Sequence, residues 1–415
     1  MTGDGAAAAT LPSRLAQRLA ESPIGVTIEL PGGERASFGP DGEVVAVRVA
    51  NERGLAALGS LAELRIVEAY LDGDIDLDDD LIAAMDLREL LFDLQLARRA
   101  WALVEPRIRG RSRVDPGYVA RHYDSANIQL LAMDDRHQVY TPGIYADERD
   151  SMEDAAERKL EAAFTSLGLR PGSSLLDVGC GWGGFAAYCA RRGVEVTGIS
   201  LSEHQLDYAR RHLADQGLEA DLLYRDFFAY RPGRRFDAIS LMGSIEELAD
   251  YGRVMRRLAA WLEPGGRVYL DFASADRPFG ISSFVTKYVW PGPFRLVYLP
   301  AFTRALARHH FDLVEARNDR RNYYLWARNG YERWSAHRAE VLERADERTY
   351  RLIRLLMAGT AHLMSPRSRW ATAYRMVIAP RQGSALESRG ERLVRTAVRP
   401  VRARVLKARG AATPG

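Results

Sequence analysis

Cysteine is scarce in this chain: Cys180 and Cys189 stand alone, nine residues apart. Two cysteines build no disulfide framework, and no pairing with histidine suggests a metal site. A reducing cytoplasm fits best. Long apolar runs are missing as well. None reaches the roughly 18 residues that a membrane-crossing helix needs. The N-terminus lacks a basic segment followed by an apolar core, so no secretory signal is read. Contact with a membrane is therefore expected from its surface only, as a peripheral association. An excess of one charge is absent too. The net charge is +3, so global electrostatics do not announce nucleic acid. No Asn-Pro-Pro-Tyr-like motif follows the fourth strand of the main pattern, where Met242-Gly-Ser-Ile-Glu246 stands instead. That argues against chemistry on nucleic-acid bases.

What is present is an ordinary globular composition over 415 residues, 47% hydrophobic and 27% charged, enough for two or three domains. Residues 1–11 are rich in Gly and Ala and are expected to be disordered. Residues 12–92 read as a small α+β domain. Val26-Thr-Ile-Glu-Leu30 and Val44-Val-Ala-Val-Arg-Val49 alternate apolar and polar around Pro31-Gly32-Gly33, a hairpin signal. Helical patterns follow, broken at Asp72-Gly73-Asp74. An Arg-rich segment, 93–117, is the expected connector. From 118 to 380 helices and strands alternate. Strands are expected at 174–178, 194–199, 220–224, 236–241, 266–271, 311–316 and 373–379, and helices at 152–167, 183–192, 203–216, 251–262 and 301–309. That alternation predicts an α/β fold, a Rossmann-like and mostly parallel seven-stranded sheet covered on both faces. A helical insertion, roughly 276–300 and 325–362, is expected to build a substrate pocket. The tail 381–415 carries, from 383 on, eight basic residues spaced among Leu393, Val394, Val398, Val401 and Val405. A basic amphipathic helix suits an anionic lipid surface, although Pro400 argues against one unbroken helix.

The most informative stretch is Leu175-Leu-Asp-Val-Gly-Cys-Gly-Trp-Gly-Gly184. An apolar run ends in Asp177, and Gly179, Gly181 and Gly183 alternate ahead of a helical pattern. Glycine permits positive φ and close approach of a ligand to the backbone. At the tip of a parallel strand this is where an α/β sheet takes a nucleotide-like cofactor. The spacing is not that of a dinucleotide fingerprint. Ser200, Ser202 and Gln205 follow the next strand. Gln205 suits ribose hydroxyls, and Ser202 with Gln205 also reads as a capping box. Asp226 follows the third strand, placed either to accept from an adenine amino group or to cap its own turn.

The glycine stretch resembles the first motif of S-adenosylmethionine (SAM) methyltransferases. The chain as a whole resembles the cyclopropane-fatty-acyl-phospholipid synthase family, which includes mycolic acid cyclopropane synthases. The segments that carry the likeness are Glu68-Ala-Tyr-Leu-Asp-Gly-Asp74, His122-Tyr123-Asp124 with Asn127, Leu176 to Gly184, Leu201-Ser202 with Gln205, Lys287-Tyr-Val-Trp-Pro-Gly292, and Arg348-Thr-Tyr-Arg351 with Ala358-Gly359. The resemblance implies a SAM-dependent enzyme acting on the double bond of an unsaturated acyl chain in a phospholipid. The product is a cyclopropane or a methyl- or methylene-branched chain, reached through a carbocation. It implies cofactor contacts at Tyr123, Tyr140, Thr141, Asp177, Gly179, Gly181, Gly183, Ser200, Gln205 and Asp226. It also implies a bicarbonate held as base by a Cys, a Glu, a His and a Tyr. Here those positions are Pro142, Glu246, Asp271 and Tyr323, so two of four are replaced and bicarbonate is doubtful. Glu246 or Asp271 serving directly as the base is the alternative. Asp271 as a plain strand-end residue, with cyclopropanation lost, weighs equally. Tyr288, Trp290, Tyr323, Tyr324 and Trp326 are expected either to wall an acyl tunnel or simply to fill core.

Two competing functions stay open on the sequence. One is a SAM methyltransferase for another hydrophobic small molecule. The other is a SAM- or lipid-binding homologue that has lost its chemistry. The expected partners are phospholipid acyl chains and an anionic membrane surface, with no nucleic acid and with a homodimer allowed.

Overall fold

A computed structural model describes residues 10–41, 44–77, 80–91, 136–248, 250–275, 282–289, 295–368 and 370–382. The connector, the His122-Tyr123-Asp124 motif with Asn127, Trp290 to Gly292 and the basic tail lie outside the described residues.

The first unit is a four-stranded sheet in the order β2-β1-β3-β4, with β1 Gly25–Glu29, β2 Arg35–Phe38, β3 Val44–Val49 and β4 Ile75–Leu77. The hairpin at Pro31-Gly32-Gly33 pairs β1 with β2, not with β3. β3 instead lies parallel to β1 on its other side. The alternation in 44–49 was enough to predict a strand, but it could not name the partner. α1 (Ser13–Ala20) covers this sheet through Leu15 and Leu19. Leu11 joins the same core, 5% exposed, so the packed chain starts ahead of the expected boundary. α2 (Glu52–Gly59) is capped by Asn51, whose side chain accepts from two backbone amides. α3 (Glu63–Leu71) leads back into β4, and the one-turn α4 (Leu81–Ala84) follows it.

The second unit is an eight-stranded sheet. Its main path is β11-β12-β9-β8-β5-β6-β7, and the two-residue β10 (Val297–Tyr298) pairs with β9 at one end. β5 is Ser174–Val178, β6 Glu195–Ser200, β7 Asp221–Tyr224, β8 Phe236–Met242, β9 Leu262–Ala275, β11 Phe311–Asn318 and β12 Ala371–Pro380. β5, β6, β7, β8 and β9 run parallel, β12 is antiparallel to β9, and β11, antiparallel to β12, returns to the common direction. The seven expected strands all form. β9 runs longer than the apolar pattern suggested, because Ala273, Ser274 and Ala275 continue its pairing with β12. β5 has β6 on one side and β8 on the other. The chain therefore changes direction there, and such a switch point opens a crevice at the strand tips.

The helices on the two faces start where the sequence provides caps. α5 (Met152–Leu167) begins at Ser151, which accepts from Asp154 N–H, and stops at Gly168 with φ 68°. α6 (Gly184–Ala190) leaves the glycine turn. α7 (Glu203–Ala214) starts at Ser202, and α8 (Tyr251–Trp261) at Asp250. α9 is Leu299–Arg308. The insertion supplies α10 (Arg320–Ala336), α11 (Arg338–Arg344) and α12 (Glu347–Met364). α10 and α12 pack tightly, with Trp334 Nε1 donating to Tyr350 O at 3.0 Å.

The first unit rests on this insertion. Tyr70, Leu71 and Leu81 share one core with Trp334, Tyr350 and Met357. Arg348 pairs with Asp72, Lys287 pairs with Glu68, and Tyr288 donates to Glu68 at 2.8 Å. Arg351 donates to Tyr70 O at 3.0 Å. The aromatic group expected either to wall an acyl tunnel or to fill core thus divides. Tyr288 belongs to this seam, and Tyr324 packs in two small clusters beside it. Tyr323 and Trp326 face the crevice.

Candidate active site

A cleft of about 210 Å³ opens at the tips of β5, β6 and β8. Its floor is the glycine turn, in which Gly179, Gly181 and Gly183 have φ of 76°, 53° and 85°. The three have different tasks. A Cβ on Gly179 would stand 2.7 Å from Ser244 Cβ, and one on Gly183 would stand 2.8 Å from Ala209 Cβ. These two serve packing, and Gly183 does not line the cleft. At Gly181 the nearest atoms are 3.9 Å away. Its bare backbone faces open space, which a ligand can fill.

One end of the cleft is polar. Ser200 and Gln205 are buried there, 3.4 Å apart between Oγ and Oε1. Ser202 Oγ accepts from Gln205 N–H at 3.2 Å. The capping half of the sequence signal is therefore met by Ser202, and the Gln205 side chain turns to Ser200 and the cleft. Asp226 lines the same end while accepting from Ala229 N–H at 2.8 Å, so it caps its turn and faces the cleft at once. Asp177 is buried beneath, 3% exposed. Burial pushes its carboxyl up to about 6, against a 2.6 Å hydrogen bond donated by Ser240 Oγ. Ser240 sits directly across from it in the β5–β8 register.

The other end is apolar and aromatic. Tyr140, Tyr323 and Trp326 line it with Leu356 and Met357 of α12. Trp326 meets both tyrosines edge-on, each at 6.0 Å between centroids. Thr141 and Pro142 complete this wall. The segment that carries them is tied down on both sides. Ile144 N–H donates to Ala155 O at 2.8 Å, and Tyr145 N–H donates to Asn322 Oδ1 at 3.0 Å.

Glu246 stands in the short turn Ile245–Glu247 after β8 and lines the cleft, 4% exposed. Its Oε1 accepts from Ala273 N–H at 2.9 Å. Its Oε2 is buried without a hydrogen bond among the described residues. Burial pushes its carboxyl up to about 8, and repulsion from Asp271 and Glu247 adds to the rise, while the Ala273 amide opposes it. Burial also lifts Glu247 to about 7.

Asp271 is not on the cleft wall. It lies behind it, 8% exposed, with Oδ2 2.6 Å from the ammonium of Lys159. Lys159 also donates to Thr141 Oγ1. Sequence reasoning missed Lys159, although a signal was available. It falls four residues from both Ala155 and Ala163, in the buried stripe of α5. Of the expected site residues, Tyr140, Thr141, Asp177, Gly179, Gly181, Ser200, Gln205, Asp226, Glu246 and Tyr323 converge on the one cleft. Gly183 and Asp271 support it from behind, and Tyr123 lies outside the described residues. The four positions implied for bicarbonate do not form an anion site. Pro142 has no donor, and Asp271 brings a negative charge that Lys159 already pairs.

Residues 111–371 match the model of the mycolic acid cyclopropane synthetase family. A probable fatty acid methyltransferase of Pseudomonas putida is 26% identical over 350 residues, which is 81% of this chain and 87% of that protein. The cyclopropane-fatty-acyl-phospholipid synthase of Escherichia coli strain K12 is 29% identical over 269 residues, covering 63% of this chain and 64% of that one. A sphingolipid C9-methyltransferase of Candida albicans is 24% identical, covering 75% of this chain and 64% of that one. Among solved structures, mycolic acid cyclopropane synthase CmaA1 complexed with SAH and CTAB superposes with a TM-score of 0.59 at 19% identity, over 65% of this chain and 99% of that one. That likeness gives the fold, which is the class I SAM-methyltransferase fold. By its family match, which spans well over half its length, the chain belongs to the mycolic acid cyclopropane synthetase family.

Proposed function

We propose that this protein transfers the methyl group of SAM to the double bond of an unsaturated acyl chain in a phospholipid, giving a cyclopropane or a methyl- or methylene-branched chain. The observation that carries the reading is the mixed lining of one cleft. A bare glycine backbone with buried polar groups, a set of aromatic and apolar side chains, and a buried carboxyl all line it. The polar end fits the cofactor. Gly181 leaves room for it, Ser200 and Gln205 suit ribose hydroxyls, and Asp226 offers an acceptor. When bound there, SAM supplies an activated methyl group.

The remaining work falls to the chain. An alkene is a weak nucleophile, so it must be held against the donor in one orientation. Tyr140, Tyr323, Trp326, Leu356 and Met357 form a surface against which an acyl chain packs. Bond formation at one alkene carbon leaves its neighbour cationic. Water must be kept out, or it captures that cation. The faces of Tyr323 and Trp326 also stabilise positive charge. A proton must then leave from the new methyl or from an adjacent carbon. Glu246, in its ionised form, accepts it at Oε2. A carboxyl lifted to about 8 is a strong base in its ionised fraction and stays near its working range. No step runs through bicarbonate.

The basic segment 383–415 brings the protein to anionic lipid, where the substrate resides. No described helix is long and apolar enough to cross a membrane.

The test is incubation of purified protein with methyl-labelled SAM and vesicles of unsaturated phospholipid. Mass spectra of the released acyl chains should show one added CH2 carrying label. E246Q should lose this by about a hundredfold or more. Label that reaches a non-lipid acceptor only, or no label in lipid with wild-type protein, overturns the assignment.

A further inference from the structure

Lysine is rare here. Of 58 basic Lys and Arg residues only three are lysine, at 159, 287 and 407. Lys159 is 2% exposed, among the largest fully buried side chains. A chain that uses arginine nearly everywhere has placed a compact point charge at this buried position.

Its surroundings show what the charge does. The ammonium joins two elements that the sheet alone does not connect. On one side is Thr141 Oγ1, in the segment lining the aromatic end of the cleft. On the other is Asp271 Oδ2 of β9, 2.6 Å away. Between them the Asp271 carbonyl accepts from Gly243 N–H at 3.1 Å, and Thr141 Cγ2 lies 2.7 Å from where a Gly243 Cβ would be. Glu246 follows in the same turn. Asp177 and Asp319 are both pushed up by burial, and the Lys159 charge works against the rise at each. Glu246 is faced by Asp271 from β9, by Glu247 from its own turn and by Tyr251 from α8, and its backbone carbonyl accepts from Arg295 N–H.

We propose that the Lys159–Asp271 ion pair is the positioning device of this site: the buried ammonium ties Thr141 and its segment, at the methyl-accepting end of the cleft, to β9, and it offsets part of the negative charge that Asp271 presents to Glu246. The proposal deepens the methyltransferase reading and rests on it for its role in turnover. Neither residue touches the reacting atoms. The pair stands where the family resemblance implied a ligand to a bound anion, and it converts that position into an internal, charge-neutral support.

The test uses the full chain and two readouts. One is the pH profile of labelled-methyl transfer into phospholipid. The other is an infrared titration of the buried carboxyl band, assigned by its loss in E246Q, which needs no turnover. In D271N the Glu246 midpoint should fall by about one unit. In K159M it should rise by a similar amount, because Asp271 is left unpaired. In K159M/D271N it should return close to wild type. Each variant is first checked for its melting curve and for SAH binding by calorimetry. If K159M does not fold, D271N and the double variant decide the matter alone. Midpoints unmoved in D271N, or a double variant whose shift is not cancelled, overturn the proposal. Infrared shifts as expected without any methyl transfer by wild type would sink the proposed function and leave the electrostatic role of the pair standing.

Discussion

Glu246→Gln has a consequence for stability that follows from burial alone. In the unfolded chain this carboxyl titrates near 4.5, and in the folded protein burial lifts it to about 8. The folded state therefore holds a proton that the unfolded state has released anywhere between those values. The sign follows: folding stability falls as pH rises from about 4.5 to about 8 and is flat outside that window. At about 1.4 kcal/mol per unit, the loss reaches about 3 kcal/mol near pH 7 and about 5 kcal/mol above pH 8. Glutamine cannot ionise, and its carbonyl can still accept from Ala273 N–H, the partner of Oε1 at 2.9 Å. E246Q should thus match wild type near pH 5 and exceed it by several kcal/mol near pH 9. Asp177 and Glu247 are lifted as well, to about 6 and about 7, so both proteins will also lose stability as pH rises from about 4 to about 7. The informative quantity is the difference between their urea-unfolding curves as a function of pH. Parallel curves would refute the claim that Glu246 is buried and neutral in the folded protein.

Five further outcomes are expected. G181A should weaken SAH binding about tenfold or more by calorimetry while lowering stability by only about 1–2 kcal/mol, the strain of its positive φ. G183A should show the reverse emphasis, because its Cβ would stand 2.8 Å from Ala209 Cβ, and overpacking adds about 1–3 kcal/mol to the strain. W326L opens the wall between Tyr140 and Tyr323, and hydroxylated acyl chains from water capture should appear among the products by mass spectrometry. Removal of 383–415 should reduce binding to anionic vesicles and leave binding to neutral ones unchanged in a sedimentation assay. Ser202→Ala, which loses the cap of α7, should cost about 1 kcal/mol in thermal unfolding.

Three segments that carry the family resemblance proved to be neighbours rather than separate marks. Glu68, Tyr70 and Asp72 of the first unit meet Lys287, Tyr288, Arg348 and Arg351 of the insertion. They form the seam on which α12 rests, and α12 turns Leu356 and Met357 toward the cleft. Their likeness to known proteins was legible in the sequence, but their mutual contact across more than two hundred residues was not.

The sequence by itself determined the parts of this protein that depend on neighbours along the chain. Alternation and caps located all seven expected strands and the helices between them, and Asp177 with its alternating glycines located the cofactor end, because strand periodicity, capping and positive φ are local properties. Only the tertiary structure decided which strand β1 pairs with, which of two adjacent tyrosines, Tyr323 or Tyr324, lines the cleft, and that Asp271 answers to Lys159 rather than to a ligand. Each of these turns on groups brought together from distant parts of the chain. The energies that settle them, burial of charge above all, depend on what surrounds a side chain in space.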